Sequence, residues 1–342
     1  MRLLIIRFSA LGDIAMTVPI IDSLAKQYPH LEITVLSKPF AAPIFSQMPA
    51  NVKFQGADIK QYSGFTGLLR LFCKLRKEKY DAVADLHDVL RSKVLRGLFF
   101  LFGKKTAHID KGRKEKKTLI RAKHKILRPL TSSFNRYADV FQQLGFPVEI
   151  KFNSIYKEKK GDTTLFQDIT GVPDNKHWIG IAPFAAHKGK ILPDETIATL
   201  IHEASLHDDW KIFLFGGGKA ETEKLEAWAG KHLNVQSLAG KLNMNQELSL
   251  MSYLEAMISM DSANMHLASL TGTPVISIWG ATHPYAGFMG WKQSIQNAIQ
   301  VDLPCRPCSI FGNKPCWRGD YACLTGIRPE SIIQHLEKVI KV

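Results

Sequence analysis

No segment of this chain is long and uncharged enough to span a bilayer as a helix, which argues against a helical membrane protein. The N-terminus runs straight into the strand-like Leu3–Arg7, with no apolar core and small-residue cleavage site of a secretory signal, so a cytoplasmic location is expected. No Gly-x-Gly-x-x-Gly follows that strand, which weakens a dehydrogenase reading. No recognised RNA- or DNA-binding motif with interleaved aromatics is present, and no internal repeat is evident. Acidic residues are scarce: 31 Asp and Glu face 45 Lys and Arg, for a net charge of +14. Such a balance suits an anionic partner, whether nucleic acid, a membrane surface or a phosphorylated substrate. Much of the excess is local, between Lys104 and Arg128, where Lys114, Lys116 and Lys117 belong to a cluster of like charges.

Cysteine is also sparse, with five in 342 residues. Cys73 lies in an apolar helical stretch and reads as core. The other four form Cys305-x2-Cys308-x7-Cys316-x6-Cys323, the spacing of a four-thiolate zinc or iron site. Disulfides are disfavoured in a cytosolic protein, so the alternatives are a structural zinc or reduced thiols.

The chain's 45% hydrophobic content is ample for two domains. In the first half, strand-like runs at Leu3–Arg7, Glu32–Leu36, Asp81–Leu86 and Thr106–Ile109 alternate with helical patterns at Met16–Tyr28, Val89–Leu101 and Arg136–Leu144. In the second half, strands are expected at Trp178–Ala182, Trp210–Phe215, Ala256–Met260 and Pro274–Trp279. Helices are expected near Asp194–His207, Lys219–His232, Gln246–Tyr253 and Asn264–Leu270. Two successive blocks of this kind imply two parallel-sheet α/β domains. The polar stretch Lys157–Lys176 reads as the linker, giving domains at 1–157 and 158–328. A last helix, 329–342, is expected to pack back across both. Leu98–Phe102 reads as a helix end running into a buried strand.

Asp13 lies where the first strand turns into the first helix, the edge at which open α/β sheets bind ligands. Its carboxylate could serve as a base, or simply cap the helix. Asp85-Leu86-His87-Asp88 ends another strand of that half, and His87 with Asp88 is a second base candidate. In the second half, Asp261-Ser262-Ala263-Asn264-Met265-His266 follows a strand and opens a helix, whose free N–H groups and dipole attract phosphate. Gly217 and Gly218 follow a strand, with Glu221 in the first turn beyond. Pro183–Pro193 follows another strand, as phosphate loops do, and carries Lys188 and Lys190.

Ser9-x-x-Gly12-Asp13, Lys190 three residues before Pro193, Gly217-Gly218-x-x-Glu221 and Asp261-Ser262-x-x-x-His266-Leu267-Ala268 together resemble glycosyltransferase family 9, the ADP-heptose:lipopolysaccharide heptosyltransferases. The resemblance implies the GT-B architecture, two Rossmann-like domains facing a central cleft. It implies an inverting, metal-independent transfer from a nucleoside-diphosphate sugar, ADP-heptose in the family, to a phosphorylated lipid-linked saccharide of the lipopolysaccharide core. The enzyme would be cytoplasmic, peripheral on the inner face of the inner membrane. No cofactor would be required for catalysis, and zinc would be structural. Asp13 would be the general base, and Lys190 would stabilise the departing diphosphate. Gly217, Gly218, Glu221, Asp261, Ser262, Ala263 and His266 would hold the donor. Ser9, Gly12, His87 and Asp88 would hold the acceptor, joined on the ground of their charge by Lys114, Lys116 and Lys117. Two departures are visible: Ala263 stands where glycine is common, and Leu192 where the family has tryptophan. The competing readings are a nucleic-acid-binding protein using the basic arm and the cysteines, and a catalytically idle sugar-binding relative.

Overall fold

In the computed structural model, which describes residues 1–340, the chain divides into two units. The first comprises Met1–Lys111 and Thr131–Asn153, and the second Gly112–Leu130 and Ser154–Val342. Each is built on one parallel sheet.

The first sheet consists of β1 (Arg2–Ile6), β2 (Glu32–Ser37), β3 (Val52–Gly56), β4 (Ala82–Asp85) and β5 (Lys105–His108), in the order β3-β2-β1-β4-β5. All four strand pairings are parallel. Leu3, Leu4, Ile5 and Ile6 are fully buried, as expected of a central parallel strand covered on both faces. The second sheet consists of β6 (His177–Ala182), β7 (Trp210–Leu214), β8 (Val235–Ser237), β9 (Ala256–Met260), β10 (Val275–Trp279) and β11 (Ala298–Gln300). Its order is β11-β10-β9-β6-β7-β8, also parallel throughout. Both are doubly wound sheets whose strand order reverses beside the first strand. The switch points lie between β1 and β4 and between β6 and β9, where such sheets bind ligands.

Local chemistry explains the helix limits. Ser133–Leu144 begins at Ser132, whose hydroxyl accepts from the Asn135 N–H at 3.1 Å, and stops at Gly145 with φ +92°. The helical pattern after Asp13 is two helices, Leu11–Ala15 and Val18–Gln27. Pro19 sits in the first turn of the second, where its missing N–H costs nothing, and the Thr17 hydroxyl donates to Ile14 O at 2.7 Å.

Several expectations are corrected. Helix Gly64–Arg76 buries Leu68, Leu71, Phe72 and Leu75, a helical stripe that excludes Cys73, and Cys73 is exposed. In helix Leu90–Leu101 only Leu95 and Phe99 of the apolar residues are fully buried, whereas Phe100, Leu101 and Phe102 are 66%, 78% and 49% exposed. The run wraps around the helix end, and only one face meets the core.

The stretch Lys157–Lys176 is folded against the second unit. Gly161 N–H donates to Ser252 Oγ at 2.8 Å, and the Tyr253 hydroxyl donates to Gly161 O at 2.8 Å. The change of unit falls earlier, between Asn153 and Ser154. The basic arm Gly112–Leu130 packs with the second unit, where Leu119 joins Ala286 and Ile310 in a small core. Helix Pro329–Ile340 packs on helix Asp194–Ser205 and on β9 and β10; residues 341–342 of the expected last helix lie outside the described residues. No described helix is long and apolar enough to cross a membrane.

Candidate functional site

The first switch point gathers the ends of β1 and β4. Asp13 is the third residue of its helix, and its Oδ2 accepts from the Ala10 N–H at 3.1 Å, half of a capping box rather than an N-cap. The same oxygen lies 2.6 Å from Arg7 Nη2, in a pair whose side chains are 8% (Arg7) and 35% (Asp13) exposed. Arg7 in turn donates to Leu86 O at 2.6 Å. Burial opposes the Arg7 charge, but Tyr137, Asp13 and Asp85 outweigh it and hold its pKa above the ordinary arginine value. Arg7 and Ala10 thus hold one oxygen of a carboxylate that solvent still reaches.

His87, from the neighbouring strand end, faces the same residues. Phe8 N–H donates to its Nδ1 at 3.4 Å, and Ser9 Oγ lies 3.3 Å from its Nε2. An accepting Nδ1 places the proton of the neutral ring on Nε2, directed at Ser9. Burial, then Arg7 and Lys111, push the His87 pKa down to about 3. His87 is therefore a neutral polar group at physiological pH. The second base pairing considered for it is not what the geometry builds, because Asp88 lies 3.3 Å from Arg96 and 3.6 Å from Lys93. Asp85, fully buried, organises this turn: its Oδ1 accepts from His87 N and Asp88 N at 2.9 and 2.8 Å, and its Oδ2 pairs with Arg96 at 3.1 Å. The sequence reading gave Asp85 and Arg7 no role of their own, although each puts a charge at the end of an apolar strand, the signal that could have found them. Gly12 is buried in the turn beside Asp13.

The second switch point gathers the ends of β6 and β9. Lys190 lies in a single 3-10 turn, Lys188–Lys190, and its Nζ is 2.8 Å from Asp261 Oδ2, with side chains 15% and 5% exposed. The distance is that of a hydrogen bond, although the alignment is not. Lys188 is exposed and lies 5.2 Å from the Tyr321 ring centroid. Of the two lysines weighed, Lys190 is the one turned into the switch point. Ser262 starts helix Ala263–Leu270 without a side-chain cap, its Oγ 3.3 Å from Ser259 Oγ, and His266 is buried one turn in. The first-turn N–H groups of an eight-residue helix therefore adjoin an ammonium, a combination suited to a diphosphate. After β7, Gly218 takes φ +81°, and Glu221 Oε2 accepts from Gly217 N–H at 2.9 Å. Ala263 is half-buried at the helix start.

Burial also acts on two further titratable groups of the second unit. Glu247, early in helix Met244–Met251, has its pKa pushed up to about 7 by burial. His283, after β10, is pushed down to about 4 by burial and then by Arg306, while its Nδ1 accepts from Tyr285 N–H at 3.1 Å.

Among the basic-arm lysines, Lys114 and Lys117 are exposed, and Lys116 lies 4.3 Å from the Phe288 ring centroid. Lys125 fastens the arm to the cysteine segment, donating to the carbonyls of Pro304, Cys305 and Pro307 at 3.3, 2.8 and 3.0 Å. Cys305, Cys308, Cys316 and Cys323 line one small cavity together with Arg306 and Arg318. Nevertheless, among the described residues no three or more His, Cys, Asp or Glu side chains stand in metal-holding geometry. Burial keeps the Cys308 and Cys323 thiols protonated, pushing Cys323 up to about 11. Holding a metal would require the thiols to turn inward and release protons, with Arg306, Arg318 and Lys125 available to offset the thiolate charge.

The model of glycosyltransferase family 9 (heptosyltransferase) matches residues 68–314. The chain belongs to glycosyltransferase family 9. The lipooligosaccharide heptosyltransferase 2 of Haemophilus influenzae is 25% identical over 99% of both chains. A family 9 glycosyl transferase structure from Veillonella parvula superposes with a TM-score of 0.74 at 19% identity, covering 99% of this chain and 97% of that one. The ADP-heptose lps heptosyltransferase II of Escherichia coli superposes with a TM-score of 0.73 at 19% identity, covering 100% and 99%. These likenesses establish the GT-B fold class for the two parallel-sheet units, and family membership makes this family 9 member a glycosyltransferase.

Proposed function

We propose that this enzyme transfers a heptose, with inversion, from ADP-heptose to a lipopolysaccharide-core saccharide carried on a lipid at the inner face of the cytoplasmic membrane. The observation that carries the reading is the Lys190–Asp261 pair beside the first turn of helix Ala263–Leu270, at the switch point of the second sheet. A largely buried cation beside the N–H groups of a helix's first turn favours a ligand whose negative charge grows as a bond breaks. The names of the relatives support ADP-heptose as donor and lipooligosaccharide as acceptor class.

In the reaction, an acceptor hydroxyl attacks the anomeric carbon, and the bond from that carbon to the diphosphate oxygen breaks. The electron pair leaves with ADP, and the hydroxyl proton passes to the Asp13 carboxylate. Arg7 and the Ala10 N–H orient that carboxylate. Neutral His87, through Ser9, offers polar groups to sugar hydroxyls. Lys190 and the helix N–H groups receive the charge on the leaving diphosphate. Glu221 is placed to accept from ribose hydroxyls. No divalent ion has a role in these steps.

The test is nucleotide-dependent thermal stabilisation followed by turnover. A ligand that binds the native state raises stability by about 2.7 kcal/mol at 100 times its Kd. ADP should stabilise more than UDP or GDP at equal concentration, and ADP-heptose should be consumed with acceptor present. Stabilisation by UDP alone would reject the donor assignment. Stabilisation by ADP without transfer to any core acceptor would favour the idle sugar-binding reading.

A further inference from the structure

The segment Leu303–Cys323 carries the four clustered cysteines and little regular structure. It is anchored by buried Arg306. That guanidinium donates to the carbonyls of Gly280 (2.5 Å), Val301 (2.6 Å), Thr282 (2.9 Å) and Trp279 (3.0 Å), and to Gln300 Oε1 (3.0 Å). The loop after β10 is thereby tied to the segment. Cys308 N and Ser309 N add bonds to Ala281 O at 3.1 and 3.2 Å, while Ala281 N donates to Gly189 O at 2.8 Å. The chain of contacts ends at the loop that carries Lys190.

The segment also touches Lys190 directly. A Cβ on Gly312 would lie 2.6 Å from Lys190 Cγ, 3.2 Å from Cε and 3.3 Å from Cδ. A Cβ on Gly189 would lie 2.7 Å from Gly312 O. The Gly312 turn is itself held, since its N–H donates to Ser309 Oγ at 2.9 Å. Asp261 therefore takes the ammonium at one end of the lysine, and the backbone of Gly312 walls the stem along its length.

We propose that the cysteine segment is a positioning element for Lys190, with Gly312 as its point of contact. The proposal rests on the reading of Lys190 as the cation facing the leaving diphosphate. Gly312 acts through the lysine and touches no substrate. A bare backbone there leaves the stem one channel, which aims the ammonium where Asp261 also holds it. A side chain at 312 would displace the lysine while leaving its charge in the molecule.

Two glycines of the segment separate this role from general strain. Gly312 and Gly319 have φ of +74° and +81°, so alanine at either carries the same backbone penalty. Only at Gly312 does the added methyl meet Lys190; at Gly319 nothing lies within 4 Å. Gly312→Ala should melt below Gly319→Ala, because displacing Lys190 also disturbs its pair with Asp261, so ADP affinity and transfer rather than Tm carry the comparison. Gly312→Ala should weaken ADP binding by calorimetry, and lower kcat for transfer, by about tenfold or more, with the acceptor KM unchanged. Gly319→Ala should do neither. In a Lys190→Ala background, Gly312→Ala should cost no further ADP affinity, the signature of two residues acting as one. Ser309→Ala, which loosens the turn without filling it, should show a smaller loss that likewise vanishes in that background, and it serves where Gly312→Ala fails to fold. Equal effects of Gly312→Ala and Gly319→Ala on ADP affinity, or a Gly312→Ala or Ser309→Ala loss undiminished without the lysine, would overturn the proposal. If Lys190→Ala alone leaves ADP affinity and transfer intact, the leaving-group reading falls first and the proposal with it.

Discussion

Removing Lys190 should damage the protein in two separable ways. Asp261 is 4% exposed, and Lys190 Nζ lies 2.8 Å from its carboxylate. Truncating one partner of a buried pair typically costs about 3–5 kcal/mol, because the other charge is left uncompensated. Lys190 is partly reached by solvent, so the lower end, about 3 kcal/mol, applies to Lys190→Ala. For a unit of this size that lowers Tm by about 6–12 °C. Lys188→Ala removes only an exposed cation near Tyr321, worth about 0.5–1 kcal/mol. Beyond stability, loss of one preorganised electrostatic group at a leaving anion should lower kcat by about 10²–10³. The pairing allows the two effects to be pulled apart. Lys190→Met combined with Asp261→Asn removes both charges, so it should recover most of the lost Tm while transfer stays low. Differential scanning calorimetry and a coupled ADP-release assay on the four proteins decide the matter. A double variant that regains transfer along with stability would show that Lys190 serves the fold alone. A larger loss of turnover in Lys188→Ala would show that the wrong lysine has been chosen.

Four more outcomes follow from charge and burial. His87 and His283 are held to about 3 and 4, below the unfolded value near 6.5, so their stabilising contribution is complete above pH 6.5 and is lost as pH falls below it. At pH 5 each costs about 2 kcal/mol, so His87→Gln should lose less Tm than the parent between pH 7 and 5, and parallel curves would refute this. Glu247 works in the opposite sense: its folded value of about 7 exceeds the unfolded one, so Glu247→Gln should raise Tm at pH 8 and lose that advantage as pH falls towards 4.5. Replacing exposed Lys114 and Lys117 with Gln should weaken binding of a phosphorylated acceptor at low salt and flatten its salt dependence; because the arm packs with the second unit, ADP affinity should be measured alongside, and unchanged acceptor binding would leave these lysines as solvated charges. Purified protein should hold one zinc or iron per chain or none, with transfer surviving a chelator, and activity lost on chelation and restored by metal would make that centre catalytic.

Much of this architecture is written in the apolar runs. β4, β9 and β10 are buried at every position and β1 and β6 at all but the first, and each reads as a strand because a parallel strand covered on both faces is built mostly from apolar residues. The strands that escaped detection are β3, β8 and β11, all at or near sheet edges and partly solvated. Two are three residues long, too short for any period to show. The candidate site was legible where a motif fixes a backbone position, as with Asp13, Glu221 and Asp261. It was not legible where a role depends on a partner that no motif marks, whether near in the chain or far from it. Arg7 on Asp13, Asp85 under His87 and Gly312 against Lys190 are relations between strand ends and loops. The same limit explains the arm Gly112–Leu130: its charges mark it in the sequence, but only folded contacts, such as Leu119 with Ala286 and Ile310 and Lys125 with the cysteine segment, show which unit it joins.

The central claim is that Asp13 removes the proton from the attacking hydroxyl. It is tested most directly by comparing transfer and donor binding in Asp13→Asn. The amide keeps the shape and the place beside Arg7 and Ala10 but cannot accept the proton. Single-turnover transfer from ADP-heptose should fall by about 10²–10⁴, while ADP affinity, governed by the second unit, should stay within about twofold. A folded Asp13→Asn protein that transfers at the parent rate would contradict the account, as would one whose loss of transfer is wholly explained by a matching loss of ADP affinity.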